Sequence, residues 1–331
     1  MCSASHFDRV RVLHLSRREG GTATMRTDEL IDTDTPTVTV PAAQDISRAP
    51  LGPDSASWRH GNDWRALLGA RSTIWLEVAH PVVGAGAGQH SRFDTDRWGT
   101  LTRRFQTMFA IYGGHCDAGA HAAAEHLRAV HSNVKGVDVH GRSYHALNAD
   151  AYLWVAATGY STQADIRRVF DGEVDVELED ALYDDWKRTA RALGVPERVI
   201  PKTREDFWEY YWHVVDDVLE RNLSTGRVLD VDSRPLPRHP SFRGPTFIWN
   251  LGARPFQRLI VLSGAGLLPP QTRELLGIEW NSRRQKRFDA LVHTVRVIDR
   301  FLPDSARYPF RRITPNPKLP DFFITRQEGR S

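Results

Sequence analysis

The sequence has little cysteine, little net charge and no long apolar run, and each shortage excludes a class of protein. Its two cysteines, Cys2 and Cys116, are too few for a disulfide framework, which points to a reducing cytoplasm. The 44 basic and 41 acidic residues leave a formal charge of +3, so a dedicated nucleic-acid binder is not indicated. Because no apolar run is long enough to cross a bilayer, we expect no membrane span.

The composition is that of a soluble globular protein with a substantial core. The chain has 331 residues, of which 40% are hydrophobic and 26% charged, and its mean hydropathy is -0.45. These values exclude a wholly disordered or collagen-like chain. The length is sufficient for one large domain or two ordinary ones.

The two ends of the chain differ in composition from the rest. Residues 1–50 are predicted to be a flexible tail, because residues 22–50 are rich in Thr, Asp and Pro. No apolar core of a secretory signal occurs there, and Met25 is an alternative start. We place one domain over residues 51–315 and a second tail over residues 316–331.

Helical periodicity dominates this domain and predicts an all-α fold. Apolar residues from Trp58 to Ala79 recur at helical spacing, and Pro81 should interrupt that helix. The only strand signal is a short hairpin around residues 137–139, and residues 229–245, with several prolines, read as a long connection. Capping and stop residues delimit further helices over 95–112, 118–135, 148–170, 176–193, 203–222 and 283–302.

The chemistry must come from histidine, because phosphate-binding loops, nucleophile elbows and dinucleotide fingerprints are all absent from the sequence. Four histidines, at positions 115, 121, 126 and 131, are crowded together. The five-residue steps between the last three turn successive rings by roughly 140° on a helix, so they cannot converge on one metal.

His131 can nevertheless act alone. A single imidazole that faces a helix-lined apolar cavity is what a b-type haem needs, because the porphyrin supplies four iron ligands. Covalent attachment is not expected, since no Cys-x-x-Cys-His sequence occurs. Arg128 and Lys135 are cations on the same predicted helix that could lie near the propionates. From spacing alone, a lone helical histidine is more often an ordinary hydrogen-bonded core or surface residue.

Glu77 and His80 form a second candidate. The Glu-x-x-His spacing puts both side chains on one helix face and is half of a di-iron carboxylate site. A complete site needs a second copy, and the sequence contains none. A histidine beside a proline, as His80 is, commonly lies at a helix terminus instead.

A series of short motifs follows one another along the chain in a recognisable order. They are Leu51-Gly-Pro-Asp-Ser with Trp58, Arg65-Ala-Leu-Leu-Gly, Glu77-Val-Ala-His80-Pro81, His90-Ser-Arg-Phe, Val130-His131-Ser-Asn-Val134, Tyr144-His-Ala-Leu-Asn148, Leu153-Trp-Val, Leu268-Pro-Pro and Leu302-Pro-Asp. Together, over about residues 51–315, they resemble the MpaB-type oxygenase family, which is related to the latex-clearing rubber oxygenases.

The resemblance implies an all-helical protein with a globin-like core and additional helices that binds haem b. In that family the histidine of the Val-His-x-x-Val motif is the proximal iron ligand, and this position is His131 here. The resemblance also places His90 beside the cavity. On the opposite side of the haem we expect Arg103 or Arg104 to donate a hydrogen bond to an oxygen species.

Two positions depart from the family pattern. Relatives commonly carry Arg-Leu-x-x-Thr before the ligand helix, whereas this chain reads Thr100-Leu-Thr-Arg-Arg104, with Arg and Thr exchanged. Relatives often have histidine after Trp-Val, where this chain has Ala156. Both changes bear on the pocket opposite His131.

The function that this resemblance implies is haem-dependent oxygenation of a small apolar molecule by dioxygen, such as oxidative attack on a C=C bond. A non-enzymatic haem protein for gas binding, sensing or haem storage is the alternative, and it would consume no oxygen. A metal-free helical interaction module is a third possibility, and it would show no haem absorbance.

Overall fold

The computed structural model describes residues 51, 55–61, 63–112, 117–172 and 175–309. The predicted tails over 1–50 and 316–331, and also His115, lie outside the described residues. Within the described part the fold is all-α, as the sequence predicts, and its strands form one two-stranded hairpin.

The N-terminal half begins with helices that Pro81 and glycine delimit. Pro81 is the first residue of a new helix, and His80 before it is extended, so the long predicted helix is divided into two. The helices are α1 (Ala56–His60), α2 (Ala66–Ala79), α3 (Pro81–His90), α4 (Arg97–Tyr112) and α5 (Asp117–His131).

A short hairpin follows α5. Strands β1 (Lys135–Val137) and β2 (Ser143–His145) pair antiparallel, with Gly136 opposite Tyr144. Helix α5 ends at His131, four residues earlier than predicted, so Lys135 lies on the first strand and not on the helix. The hairpin itself was predicted two residues too late.

The C-terminal half starts with a long helix whose N-cap is Asn148, as predicted. The helices are α6 (Ala149–Phe170), α7 (Val176–Leu193), α8 (Arg204–His213), α9 (Leu223–Ser233), α10 (Thr246–Leu267), α11 (Pro270–Leu276), α12 (Ser282–Phe301) and α13 (Asp304–Arg307). The predicted helix over 203–222 is wrong in its second half, because a π-helical turn, Val214–Val218, replaces the α-helix there. Helices α9, α10, α11 and α13 were not predicted.

The core forms where α2 packs between α6 and α10. Its largest fully buried side chains are Trp75, Trp154, Phe207 and Tyr211, and rings from α6, α7 and α8 stack on one another there. A smaller cluster under α12 contains Leu68, Ile166 and Phe288. Among the described residues, no helix combines the length and apolarity that crossing a bilayer requires.

Candidate active site

His131 is the last residue of α5, and its ring meets a tyrosine of α6. Its Nδ1 lies 2.8 Å from the hydroxyl oxygen of Tyr152, and the two rings meet edge to face with centroids 5.7 Å apart. Burial lowers the pKa of His131 to about 4, because the charged imidazolium would lose its hydration. The imidazole is therefore neutral at pH 7.

This arrangement fits a lone axial metal ligand. Within the described part of the chain no hydrogen-bond partner reaches Nε2 of His131, whereas Nδ1 is held by Tyr152. A metal-ligating histidine characteristically engages a polar group through its other ring nitrogen, which fixes the tautomer and the ring orientation. With Nε2 as ligand, Nδ1 would carry the proton and donate a hydrogen bond to the oxygen of Tyr152. The residues present therefore fit haem b, which needs one such ligand.

Glu77 and Arg104 form a second polar pair, between α2 and α4. Both terminal nitrogens of Arg104 donate to the two carboxylate oxygens of Glu77, each at 2.7 Å. Glu77 is buried, and Arg104 is about one third exposed. The exchange of Arg and Thr in the motif of α4 thus puts a guanidinium at position 104, where it neutralises a buried carboxylate.

His80 lies one turn beyond Glu77, at the junction of α2 and α3. It is buried and stacks on the indole of Trp154, with ring centroids 6.5 Å apart. Burial lowers its pKa to about 4, against the opposing effect of Glu220. Its Nδ1 has no hydrogen-bond partner in the described part of the chain.

The first turns of α6 connect these groups. Tyr152 contacts His131, and two residues later the indole nitrogen of Trp154 donates to the carbonyl oxygen of Leu76, at 2.9 Å, beside Glu77. Asn148 begins this helix by accepting hydrogen bonds from two backbone N–H groups. One rigid helix end therefore positions both the candidate ligand and the end of α2 that carries the Glu77 pair.

The other predicted site residues lie in varied surroundings. Arg103 is partly exposed and forms an ion pair with Asp96 at 3.2 Å, and His90 is exposed, with its Nε2 3.1 Å from the Tyr144 hydroxyl. Their predicted roles stay predictions.

The two cations predicted near the propionates differ in environment. Arg128 is buried and donates to the carbonyl oxygen of Ala192 at 3.0 Å. One of its guanidinium nitrogens is therefore already hydrogen-bonded at the end of α7. Lys135 is exposed on β1. The assignment of both cations to the propionates stays a prediction. Lys135 is the more exposed of the two.

The di-iron alternative finds little support in the geometry. Both carboxylate oxygens of Glu77 accept from Arg104, and His80 lies beyond the end of α2. Among the described residues, no group of three or more His, Cys, Asp or Glu side chains converges to hold a metal.

Sequence reasoning missed Tyr152 and Trp154 as members of the site. Tyr152 lies 21 residues from His131, and no local pattern connects the two. The Leu153-Trp-Val motif was the one available signal for Trp154.

One comparison with known proteins identifies the family, and another finds two relatives without an assigned function. A family model described as "ER-bound oxygenase mpaB/B'/Rubber oxygenase, catalytic domain" matches residues 58–297. Two curated relatives, uncharacterized protein Mb2261 of Mycobacterium bovis and uncharacterized protein Rv2237 of Mycobacterium tuberculosis, are each 30% identical over 182 residues. These matches span 53% of this chain and 65% of each relative. No solved structure matches, so the globin-like arrangement stays a prediction.

Proposed function

The chain belongs to the family of the ER-bound oxygenase mpaB/B' and rubber oxygenase catalytic domains, and from this premise we propose that it is a haem b-dependent oxygenase of an apolar molecule. The substrate class is a small or elongated apolar compound, and the reaction is oxidative attack by dioxygen, such as at a C=C bond. The matched range, residues 58–297, contains His131, Tyr152, Glu77 and Arg104. We place the protein in a reducing compartment, on the basis of its cysteine content.

The pairing of His131 with Tyr152 is the observation that carries the haem proposal. A surface histidine near its ordinary pKa would be partly protonated and free to rotate, and would bind iron weakly. Here the imidazole is neutral down to about pH 4 and held by a hydroxyl through Nδ1. We propose that Nε2 of His131 would hold the haem iron.

Haem b, when bound, would supply the redox chemistry with dioxygen, and the protein would supply orientation and polarity. Tyr152 would hold the imidazole plane of His131 by accepting a hydrogen bond from its Nδ1–H. The Glu77–Arg104 pair is internally neutral and its carboxylate is already occupied, so it presents little net charge to an apolar substrate.

The experiment is an absorption spectrum of purified protein, supplied with hemin, beside a His131→Ala variant. We expect a Soret band in the native chain that weakens and shifts in the variant. His140→Ala is the matched control, because His140 is an exposed histidine of the hairpin loop. An unchanged spectrum in His131→Ala would refute the ligand assignment.

Turnover separates the remaining possibilities. Oxygen consumption with an olefin supports the oxygenase, while a Soret band with no oxygen uptake across a panel of olefins supports a non-enzymatic haem protein, which the family match does not favour. A chain that stays colourless with excess hemin would be a metal-free helical module.

A further inference from the structure

The first half of α10 carries large apolar side chains that contact little of the protein. Phe247, Leu251 and Phe256 are 72%, 79% and 54% exposed. Large apolar side chains favour burial, so Phe247 and Leu251, which lie side by side in water, indicate a surface that something covers. We call this exposed half, residues 246–259, the α10 surface.

The charge around this surface has one sign. Residues 233–273 contain six arginines and neither aspartate nor glutamate. Of these arginines, Arg243, Arg254 and Arg258 are exposed, and none has an ion-pair partner in the part of the chain that the structure describes. The numbers of basic and acidic residues are nearly equal over the whole chain, but this surface is locally basic.

The helical spacing arranges these residues as an amphipathic helix. At about 100° per residue, Phe247, Leu251, Arg254 and Arg258 fall within one stripe of about 60° along α10, whereas Phe256 lies on the other side of the helix, next to Trp249. Trp249, opposite the stripe, and Gln257, at its flank, donate hydrogen bonds to the carbonyl oxygens of Leu236 and Arg234 in the preceding segment. The stripe of Phe, Leu and Arg thus faces away from that segment.

From this arrangement we propose that the α10 surface docks on an anionic lipid bilayer, with the apolar side chains in the acyl boundary and the arginines at the headgroups. A helix that presents exposed Phe and Leu together with arginine lies in the plane of such an interface, because both kinds of residue gain there. Arginine can keep its guanidinium at the phosphates while its alkyl stem covers apolar surface.

Two other occupants fit the surface less well. A second copy docking face to face would bring the unpaired arginines of both copies together without any acidic partner. A nucleic acid would pair with the arginines but would leave Phe247 and Leu251 without an apolar partner.

The test is sedimentation of the full-length protein with vesicles. We expect it to pellet with vesicles that contain phosphatidylglycerol, much less with pure phosphatidylcholine, and less at high salt. Arg254→Gln/Arg258→Gln should weaken partitioning about 30-fold, since each arginine near an anionic surface contributes about 1 kcal/mol. Phe247→Ser/Leu251→Ser should weaken it at least about tenfold.

Matched controls separate this surface from general stickiness. Val139→Ser removes an exposed apolar side chain elsewhere, and Arg283→Gln/Arg287→Gln removes the same charge from the exposed start of α12. Both controls should partition like the native chain. Equal loss in control and test variants, or no pelleting of the native chain, would overturn the proposal. So would a native dimer that Phe247→Ser/Leu251→Ser dissociates and that does not bind vesicles.

Discussion

Arg104 on α4 holds Glu77 on α2 through two parallel hydrogen bonds of 2.7 Å. Bidentate pairing of a guanidinium with a carboxylate is the strong form of ion pair, and here one partner is buried. In the MpaB-type oxygenase family the residue at position 104 is commonly threonine. The exchanged motif therefore coincides with a structural contact between α2 and α4, which a threonine side chain would be too short to make in this form.

Replacing Arg104 should destabilise the protein, since it removes the ion pair of the buried Glu77 carboxylate. We expect Arg104→Ala to lower the free energy of unfolding by about 2 kcal/mol, because Glu77 is left without its charged partner and Arg104 is itself partly solvated. Urea unfolding measures this. The neighbouring Arg103→Ala removes a more exposed ion pair with Asp96 and should cost less than about 1 kcal/mol. Equal losses of unfolding free energy in the two variants would mean that the bidentate pair stabilises the protein no more than the exposed pair does.

The hydroxyl of Tyr152 should affect haem binding without being a ligand. Tyr152→Phe removes the group that holds Nδ1 of His131, so we expect the Kd for hemin to rise about tenfold or more. Hemin titration followed at the Soret band measures it. Tyr144→Phe is the control, because that hydroxyl contacts His90 and Gln89 and not His131. A Kd unchanged in Tyr152→Phe would indicate that the hydrogen bond is not maintained in the holoprotein.

The sequence could indicate single candidate residues but not the partners that the structure gives them. His131 followed from its motif and from the spacing that kept neighbouring histidines apart. Its contact with Tyr152 depends on how α5 crosses α6, and no local sequence pattern predicts that packing. Glu77 was grouped with His80 because both share a helical spacing, yet its actual partner is Arg104, 27 residues away on another helix.

Two helices with polar caps were predicted well, whereas α10, which has no side-chain cap, was missed. Helix α9 was missed although Asn222 caps it. Asn148 and Asp175 accept backbone hydrogen bonds at the starts of α6 and α7, and both helices lie where expected. Helix α10 has Pro245 before it, no side-chain cap and Pro255 inside it, so local signals argue against a helix. Packing of its second half against α2 outweighs those signals.

His80 should make stability depend on pH. Its pKa is about 4 in the folded protein and 6.5 ordinarily, so between these values the unfolded chain takes up a proton that the folded chain does not. Stability from this histidine is fully present above pH 6.5 and is lost as pH falls towards 4. From pH 7 to pH 5 we expect the native chain to lose about 2 kcal/mol relative to His80→Gln.

The native chain is compared with His80→Gln because some other buried groups, such as Asp165, change the stability with pH in the opposite direction. Burial raises the pKa of Asp165 to about 7, so its contribution is lost as pH rises, and that effect cancels between the native chain and His80→Gln. Urea unfolding at several pH values gives the difference. His140→Gln, at an exposed position, should show no such pH dependence relative to the native chain. A difference for His80→Gln that stays constant across this range would contradict the prediction.

Two glycines of α10 should respond to alanine in opposite directions. A Cβ at Gly264 would lie 2.7 Å from the Cβ of Arg71 and 3.0 Å from the backbone nitrogen of Ser72, both on α2. Since backbone cannot yield as a side-chain tip can, Gly264→Ala should push α10 away from α2 and cost about 2 kcal/mol of unfolding free energy.

A Cβ at Gly252, in the same helix, would meet nothing within 4 Å. Gly252→Ala should therefore stabilise the protein by about 0.5–1 kcal/mol, through the lower conformational entropy of the unfolded chain. Thermal unfolding of both variants measures the two effects, and the helix propensity gained is the same in each. Because α2 carries Glu77 at its end, the Gly264→Ala variant should also weaken hemin binding, whereas Gly252→Ala should leave it unchanged. Stabilisation by both alanines would mean that α2 and α10 do not approach as closely as the structure has them.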